Sequence, residues 1–241
     1  MTTHHSHAAD QETEKSLVWH EGDMPYSTAF GDHFYSQADG RLECAYVFLA
    51  GNGLPERWQA GDDVRIGELG FGTGLNLCET WRQWAATRPA SGHLHFVSFE
   101  LYPMQREEID RALGRWPEIA AQRLALTALW PDSPGGTIEL DLDGRTRLTV
   151  VCGEALESVL KSTLEFDAWY LDGFAPSRNG AMWSPELMQA LHAHTVPGGR
   201  FATYAAAGFV RRNLQAAGFD VERRPGFAGK REMLAGSRPR S

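Results

Sequence analysis

Glu68-Leu69-Gly70-Phe71-Gly72-Thr73-Gly74 stands where an apolar run, Val64–Leu69, gives way to a helical pattern starting at Leu75. Glycines at this junction let the backbone turn sharply and approach a ligand without Cβ clashes. The helix that follows offers free N–H groups and a positive dipole end to an anionic group. A dinucleotide fingerprint needs its third glycine at position 75, which is Leu75, and this disfavours a nicotinamide oxidoreductase. A glycine-rich turn without a ligand is the competing reading, against which the strand–turn–helix context weighs. Glu100 closes the next strand pattern, HFVSFE, where a carboxylate accepts hydrogen bonds from both ribose hydroxyls of a nucleoside. Taken singly it would be a solvated strand-end acid. Gly153-Glu154 is a weaker parallel, suited to an adenine amino group or equally to a helix N-terminus. Asp172-Gly173-Phe174-Ala175-Pro176 follows a further apolar run, and singly Asp172 reads as a turn residue and Phe174 as core.

Strand-like runs alternate with helical patterns from Val64 onward. Strands are expected at Val64–Leu69, Leu94–Phe99, Phe166–Leu171 and Arg200–Tyr204. Helices are expected at Leu75–Thr87, Gln105–Leu113, Pro117–Leu129, Pro185–His194 and Phe209–Ala217, the last ended by Gly218. Ile138–Leu142 and Arg147–Cys152 flank Asp143-Gly144, a two-residue hairpin signal, and Phe219–Arg223 with Arg231–Ala235 would close the sheet as an antiparallel pair. Pro197-Gly198-Gly199 reads as a turn and Ala45–Leu49 as a strand. The pattern predicts an α/β fold with an open, mostly parallel sheet, helices on both faces, and ligands beyond the carboxyl ends of the strands. The expected division is a disordered lead-in over 1–18, an N-terminal extension over 19–60 packed on the sheet, a main domain over 61–237, and a tail over 238–241.

A length of 241 residues suits one sizeable core, and 42% hydrophobic with 22% charged residues is ordinary for a soluble globular chain. The formal charge of −8 argues against a general nucleic-acid coat. The average hides a partition: Arg200–Ser241 holds nine basic and three acidic residues, a surplus of +6, which leaves −14 on Met1–Gly199. Cys44, Cys78 and Cys152 are too few and scattered for a disulfide framework or a zinc site, which suits a reducing, cytoplasmic setting. No apolar run approaches the ~18 residues of a membrane span, and the N-terminus has no apolar signal core. His4, His5 and His7 read as incidental, and His192 and His194 point to different helix faces, so no metal site is expected. No G-x-S-x-G, H-E-x-x-H or Walker pattern is present.

The spacing E-x-G-x-G-x-G resembles motif I of S-adenosylmethionine-dependent methyltransferases, where an acidic residue can hold the donor's ammonium. Asp172-Gly-Phe-Ala-Pro occupies the place where amine-modifying members carry an acidic or amide residue followed by Pro-Pro-aromatic. Methyl transfer to an amine requires a neutral lone pair aimed at the methyl group, so positioning dominates. An alkylamine with a pKa near ~10.4 is mostly protonated at neutral pH. A carboxylate orients it and, where desolvated, takes its proton. The blocks GELGFGTGLN, HFVSFE, DAWYLDGFAPSRNGAMW, PGGRFATYAAAGFVRRNLQAAGF and GFAGKREML, with FGDHFYSQADGRLECAYVFLAGNGLPERW before them, are together similar to the bacterial tRNA 5-methylaminomethyl-2-thiouridine methyltransferases. The resemblance runs from about Tyr26 to Gly236 and lacks the flavin-dependent oxidase fused to many members.

What this resemblance implies is a Rossmann-like class I methyltransferase fold. The implied reaction is S-adenosylmethionine-dependent methylation of the aminomethyl substituent on a tRNA wobble uridine. Glu68, Gly70, Gly72, Gly74 and Asn76 then fall on the donor loop, Glu100 on the ribose site, and Glu154 near the adenine. Asp172 faces the amine beside the donor, and Phe174 walls the base. Phe30, Asp32 and Tyr35 would cover the pocket. Arg178, Arg211, Arg212, Lys230 and Arg231 are the candidates for phosphates of an anticodon stem-loop, each singly readable as solvated surface. The implied partners are tRNA and an oxidase that prepares the amine, with no membrane. An aminopropyl transferase of polyamine synthesis suits the acidic body but not the arginine-rich end. A non-catalytic tRNA-binding module is the other alternative, disfavoured by keeping Glu68 with Asp172.

Overall fold

The computed structural model describes residues 17–60 and 63–240. The lead-in with His4, His5 and His7 lies outside the described residues, except that Leu17 and Val18 open the first strand rather than remaining unstructured. Strands β1 (Leu17–His20), β2 (Met24–Ser27) and β3 (Asp32–His33) form a small antiparallel sheet. Helix α1 (Gly40–Glu43) runs directly into a π-helical stretch, Cys44–Ala50, and α2 (Leu54–Gln59) follows. The strand expected at Ala45–Leu49 is therefore helical. Glu43, Cys44, Val47 and Phe48 are buried at helical spacing, a period that the short apolar run concealed.

The main sheet comprises β4 (Asp63–Leu69), β5 (His93–Glu100), β6 (Thr137–Asp141), β7 (Thr146–Cys152), β8 (Phe166–Leu171), β9 (Thr195–Thr203), β10 (Asp220–Pro225) and β11 (Glu232–Ser237). Its order is β10-β11-β9-β8-β4-β5-β7-β6. The five central strands are parallel, and antiparallel hairpins close both edges. Between them run α3 (Leu75–Thr87), α4 (Arg106–Leu113), α5 (Ala120–Leu129), α6 (Ala155–Lys161), α7 (Pro185–Ala193) and α8 (Gly208–Ala217). Two apolar layers result. Ile66, Phe96, Leu148 and Tyr170 face one side with Trp84 and Trp130, while Leu69, Phe99, Trp169 and Leu171 face the other with Leu187 and Leu214. Alternate strand residues supply the two faces, as expected for a sheet covered on both. Gly67 in β4 is forced by packing, since a Cβ there would lie 2.4 Å from the Trp169 ring.

Two turns differ from expectation. Pro197-Gly198-Gly199 lies inside β9 as an irregularity between the pairings Phe166↔Thr195 and Ala168↔Arg200. Its amides are not freed as in a turn, because Gly198 N–H donates to Arg238 O at 3.0 Å and Gly199 O accepts from Arg238 N at 2.9 Å. The β6–β7 loop holds four residues, 142–145, rather than two, and the Leu142 N–H donated to Thr146 O closes it. Gly144 takes φ +72° within it. The switch in strand order falls between β4 and β8, where an open α/β sheet places its ligand crevice.

Candidate functional site

The carboxyl ends of β4, β5, β8 and β9 open into a cavity of about 1180 Å³. Gly70, Gly72 and Gly74 turn the chain from β4 into α3 with φ of +87°, +52° and +76°, values that L side chains rarely adopt. A Cβ at Gly70 would lie 3.2 Å from Asp172 O, and one at Gly72 3.2 Å from Phe34 Cδ1. Gly72 N–H donates to Glu100 Oε2 and Tyr102 N–H to Glu100 Oε1, each at 2.8 Å. The Glu100 carboxylate is thereby fixed across the two loops, and its remaining lone pairs are available at the cavity edge.

Glu68 does not reach the cavity. Its side chain is fully buried beneath the glycine loop, accepting from Ser98 Oγ at 2.7 Å and Asn76 Nδ2 at 3.0 Å. Burial pushes this carboxyl well above the usual range, against the pull of those two hydrogen bonds. It meets the cavity only through Asn76, and it is not placed to hold a donor ammonium as the sequence suggested. The same Asn76 amide nitrogen donates to Asp172 Oδ2 at 2.6 Å, so one NH₂ group bridges two carboxyls.

Asp172 directly follows β8 and lines the cavity. Burial raises its pKa to about 7, opposed by the Asn76 hydrogen bond; the Glu43 charge raises it further and Lys230 lowers it. Near neutral pH such a group exchanges a proton readily, as general-base work requires. Its loop is held from three sides. Tyr204 Oη donates to Gly173 O at 2.6 Å, Trp183 Nε1 to Phe174 O at 3.0 Å, and Ala175 N–H to Asp32 Oδ2 at 3.3 Å. The Phe174 ring stacks on Phe30 with centroids 4.7 Å apart and meets Phe34 edge-on at 5.2 Å. Tyr35 also lines the cavity, and its hydroxyl donates to Ala112 O. The small N-terminal sheet and the segment after it thus form one wall of the site.

Glu154 is exposed at the start of α6, at the cavity rim. Arg178, Arg212 and Arg231 are exposed and Arg211 half-buried, all on segments following or facing the carboxyl ends of β8, β9 or the β10–β11 hairpin. Lys230 is placed differently: it lines the cavity and pairs with Glu43 Oε1 at 2.6 Å. Glu43, Phe34 and Tyr204 escaped the sequence reading. Tyr204 follows the end of β9 as Asp172 follows β8, a signal that strand ends carry sites; Glu43 needed the helical reading of its segment.

A family model described as S-adenosyl-L-methionine-dependent methyltransferase matches residues 117–239, about half of the chain. The tRNA 5-methylaminomethyl-2-thiouridine biosynthesis bifunctional protein MnmC of Chromohalobacter salexigens is 45% identical over 226 residues, covering 91% of this chain and 32% of that protein. The protein of the same name from Caulobacter vibrioides is 42% identical over 224 residues, covering 92% of this chain and 38% of its own length. The chain thus spans about a third of the length of these relatives. A crystal structure of MnmC2 from Aquifex aeolicus matches the fold with a TM-score of 0.71, at 21% identity over 95% of this chain and 72% of that one. The chain belongs to a family of S-adenosyl-L-methionine-dependent methyltransferases.

Proposed function

We propose that this chain N-methylates the 5-aminomethyl group of a wobble uridine or 2-thiouridine in tRNA, using S-adenosylmethionine. The observation that carries the reading is Asp172. It is a desolvated carboxyl oriented by Asn76, beside an aromatic wall of Phe174, Phe30 and Phe34, in the same cavity as the glycine loop. The relatives are named for tRNA 5-methylaminomethyl-2-thiouridine biosynthesis, which supports the same substrate class.

The donor fits the residues present. The glycine loop leaves a cradle that side chains at 70 and 72 would obstruct, and Glu100 offers paired acceptors for vicinal hydroxyls. Ligand pockets commonly measure roughly 300–1,000 Å³; the larger cavity here has room for a donor and a base. Gly70, Gly72 and Asn76 would line the donor's amino-acid end, Glu100 its ribose, and Glu154 the adenine side; Gly74 faces Phe71 and Leu126 instead and would act only by turning the chain into α3. When bound, the donor supplies an electrophilic methyl group on a sulfonium. Asp172 accepts a hydrogen bond from the acceptor amine, takes its proton and aims the lone pair. Phe174 stacks on the base, which a single-stranded loop yields at modest cost.

Arg178, Arg211, Arg212 and Arg231 form no close ion pair with a carboxylate among the described residues, apart from a 4.0 Å approach of Arg231 to Glu232. They serve the RNA backbone in this reading. The setting is the cytoplasm, where tRNA is modified, and the amine is supplied by a flavin-dependent oxidase, as the bifunctional naming of the relatives favours. Among the described residues no helix is long and apolar enough to cross a membrane. The test is transfer of labelled methyl from the donor to three acceptors: tRNA bearing 5-aminomethyl uridine, tRNA lacking it, and spermidine. Label in the first alone is expected; label in spermidine with none in tRNA overturns the reading.

A further inference from the structure

Glu43 lines the cavity with Asp172, is 7% exposed, and has no part in the scheme above. Among the described residues its carboxylate is met by a single cation, Lys230, whose Nζ lies 2.6 Å from Oε1 and 4.6 Å from the centre of the Tyr204 ring. Tyr204 in turn donates to Gly173 O, next to Asp172. A primary ammonium is therefore already seated in the cavity, between a desolvated carboxylate and an aromatic face. Among the described residues, Lys230 is the one lysine or arginine lining that cavity. It enters from the loop joining β10 to β11, where Ala228 and Gly229 have φ of +47° and +83°, and its side chain is 43% exposed.

Building on the amine-methylation reading, we propose that Glu43 is a second recognition carboxylate for the acceptor, and that Lys230 is a placeholder which the substrate's protonated aminomethyl group displaces. The exchange swaps one ammonium for another, so the buried acid is never left without a cation, a state that is strongly unfavourable. A neutral 5-substituent has no charge with which to displace Lys230, and the site discriminates on that basis. Once seated, the ammonium gives its proton to Asp172. The freed nitrogen lone pair forms the N–C bond as the S–C bond breaks, the bonding pair stays on sulfur, and the positive charge moves to the new secondary ammonium.

The test measures binding of the nucleosides 5-aminomethyluridine and 5-methyluridine to the whole chain saturated with demethylated donor. Wild type should prefer the aminomethyl nucleoside. Glu43→Gln should weaken that ligand by about tenfold or more, the loss of a charge-assisted contact, and leave 5-methyluridine unchanged. Lys230→Met should tighten the aminomethyl nucleoside several-fold, because nothing has to be displaced. An ion pair with only a structural role would make both variants melt lower without opposite effects on the amine. That result, or unchanged binding in both, overturns the placeholder. Wild-type protein that binds demethylated donor yet fails to distinguish the two nucleosides overturns the amine-acceptor reading beneath it.

Discussion

At the scale of single residues, the proposed chemistry rests on how Asp172 is solvated. Held near pH 7 by burial, it is protonated in part at neutrality. If its carboxylate receives the amine proton, kcat/KM should rise with pH through about 7, measured at fixed donor. Asp172→Ala should lower kcat by roughly 10²–10⁴-fold, the usual range for a lost general base, while donor affinity by calorimetry changes little. The stability sign is opposite. A carboxyl whose native pKa is raised binds its proton in the folded state where the unfolded chain has released it. Stability therefore falls as pH rises from about 4 to about 7. Asp172→Asn should melt higher than wild type at pH 8, by a smaller margin at pH 5, and nearly equal to it at pH 4, a gain bought with activity. Gly72→Val forces a β-branched side chain to φ +52° and toward Phe34, and should abolish donor binding. Asp172, Glu100 and the glycines were legible as residues because each sits at a strand end with recognisable spacing. That Glu68 works from below, through Asn76, was not, because a motif carries no information on which side chains a neighbouring strand buries.

At the scale of elements, the parallel strands and their helices were legible because hydrophobic period and turn residues agree along them. The N-terminal segment was not, since β1–β3 are short and the helix from Gly40 to Ala50 passes from α to π geometry. Its role is carried by long-range contacts that no local pattern encodes. Phe30 on Phe174, and Asp32 on the Ala175 amide, join it to the loop after β8. Phe30→Ala removes one half of the aromatic wall. It should raise KM for the acceptor RNA by about tenfold and leave donor affinity unchanged, as a stacked aromatic pair contributes roughly 0.5–1.5 kcal/mol beyond its buried area.

At the scale of the whole molecule, the basic C-terminal segment does not present one face. Arg223 and Arg224 pair with Glu232 and Glu222. Arg200, Arg238 and Arg240 gather with Arg57 in a cleft reached from the amino-terminal half of β9, away from the mouth of the candidate site. Arg178, Arg211, Arg212 and Arg231 remain beside the mouth. Affinity for tRNA should fall with salt, and each of Arg211→Ala and Arg212→Ala should reduce the log–log slope by about 0.7–0.9. Arg240→Ala should not change it.

The central claim is that the methyl group ends on the aminomethyl nitrogen of the wobble base. The direct measurement is nucleoside analysis of tRNA carrying 5-aminomethyl-2-thiouridine after incubation with this protein and S-adenosylmethionine. The expected result is loss of the aminomethyl nucleoside with matching gain of its N-methyl product, and neither change with Asp172→Ala. Protein that binds the donor but leaves that nucleoside untouched would contradict it.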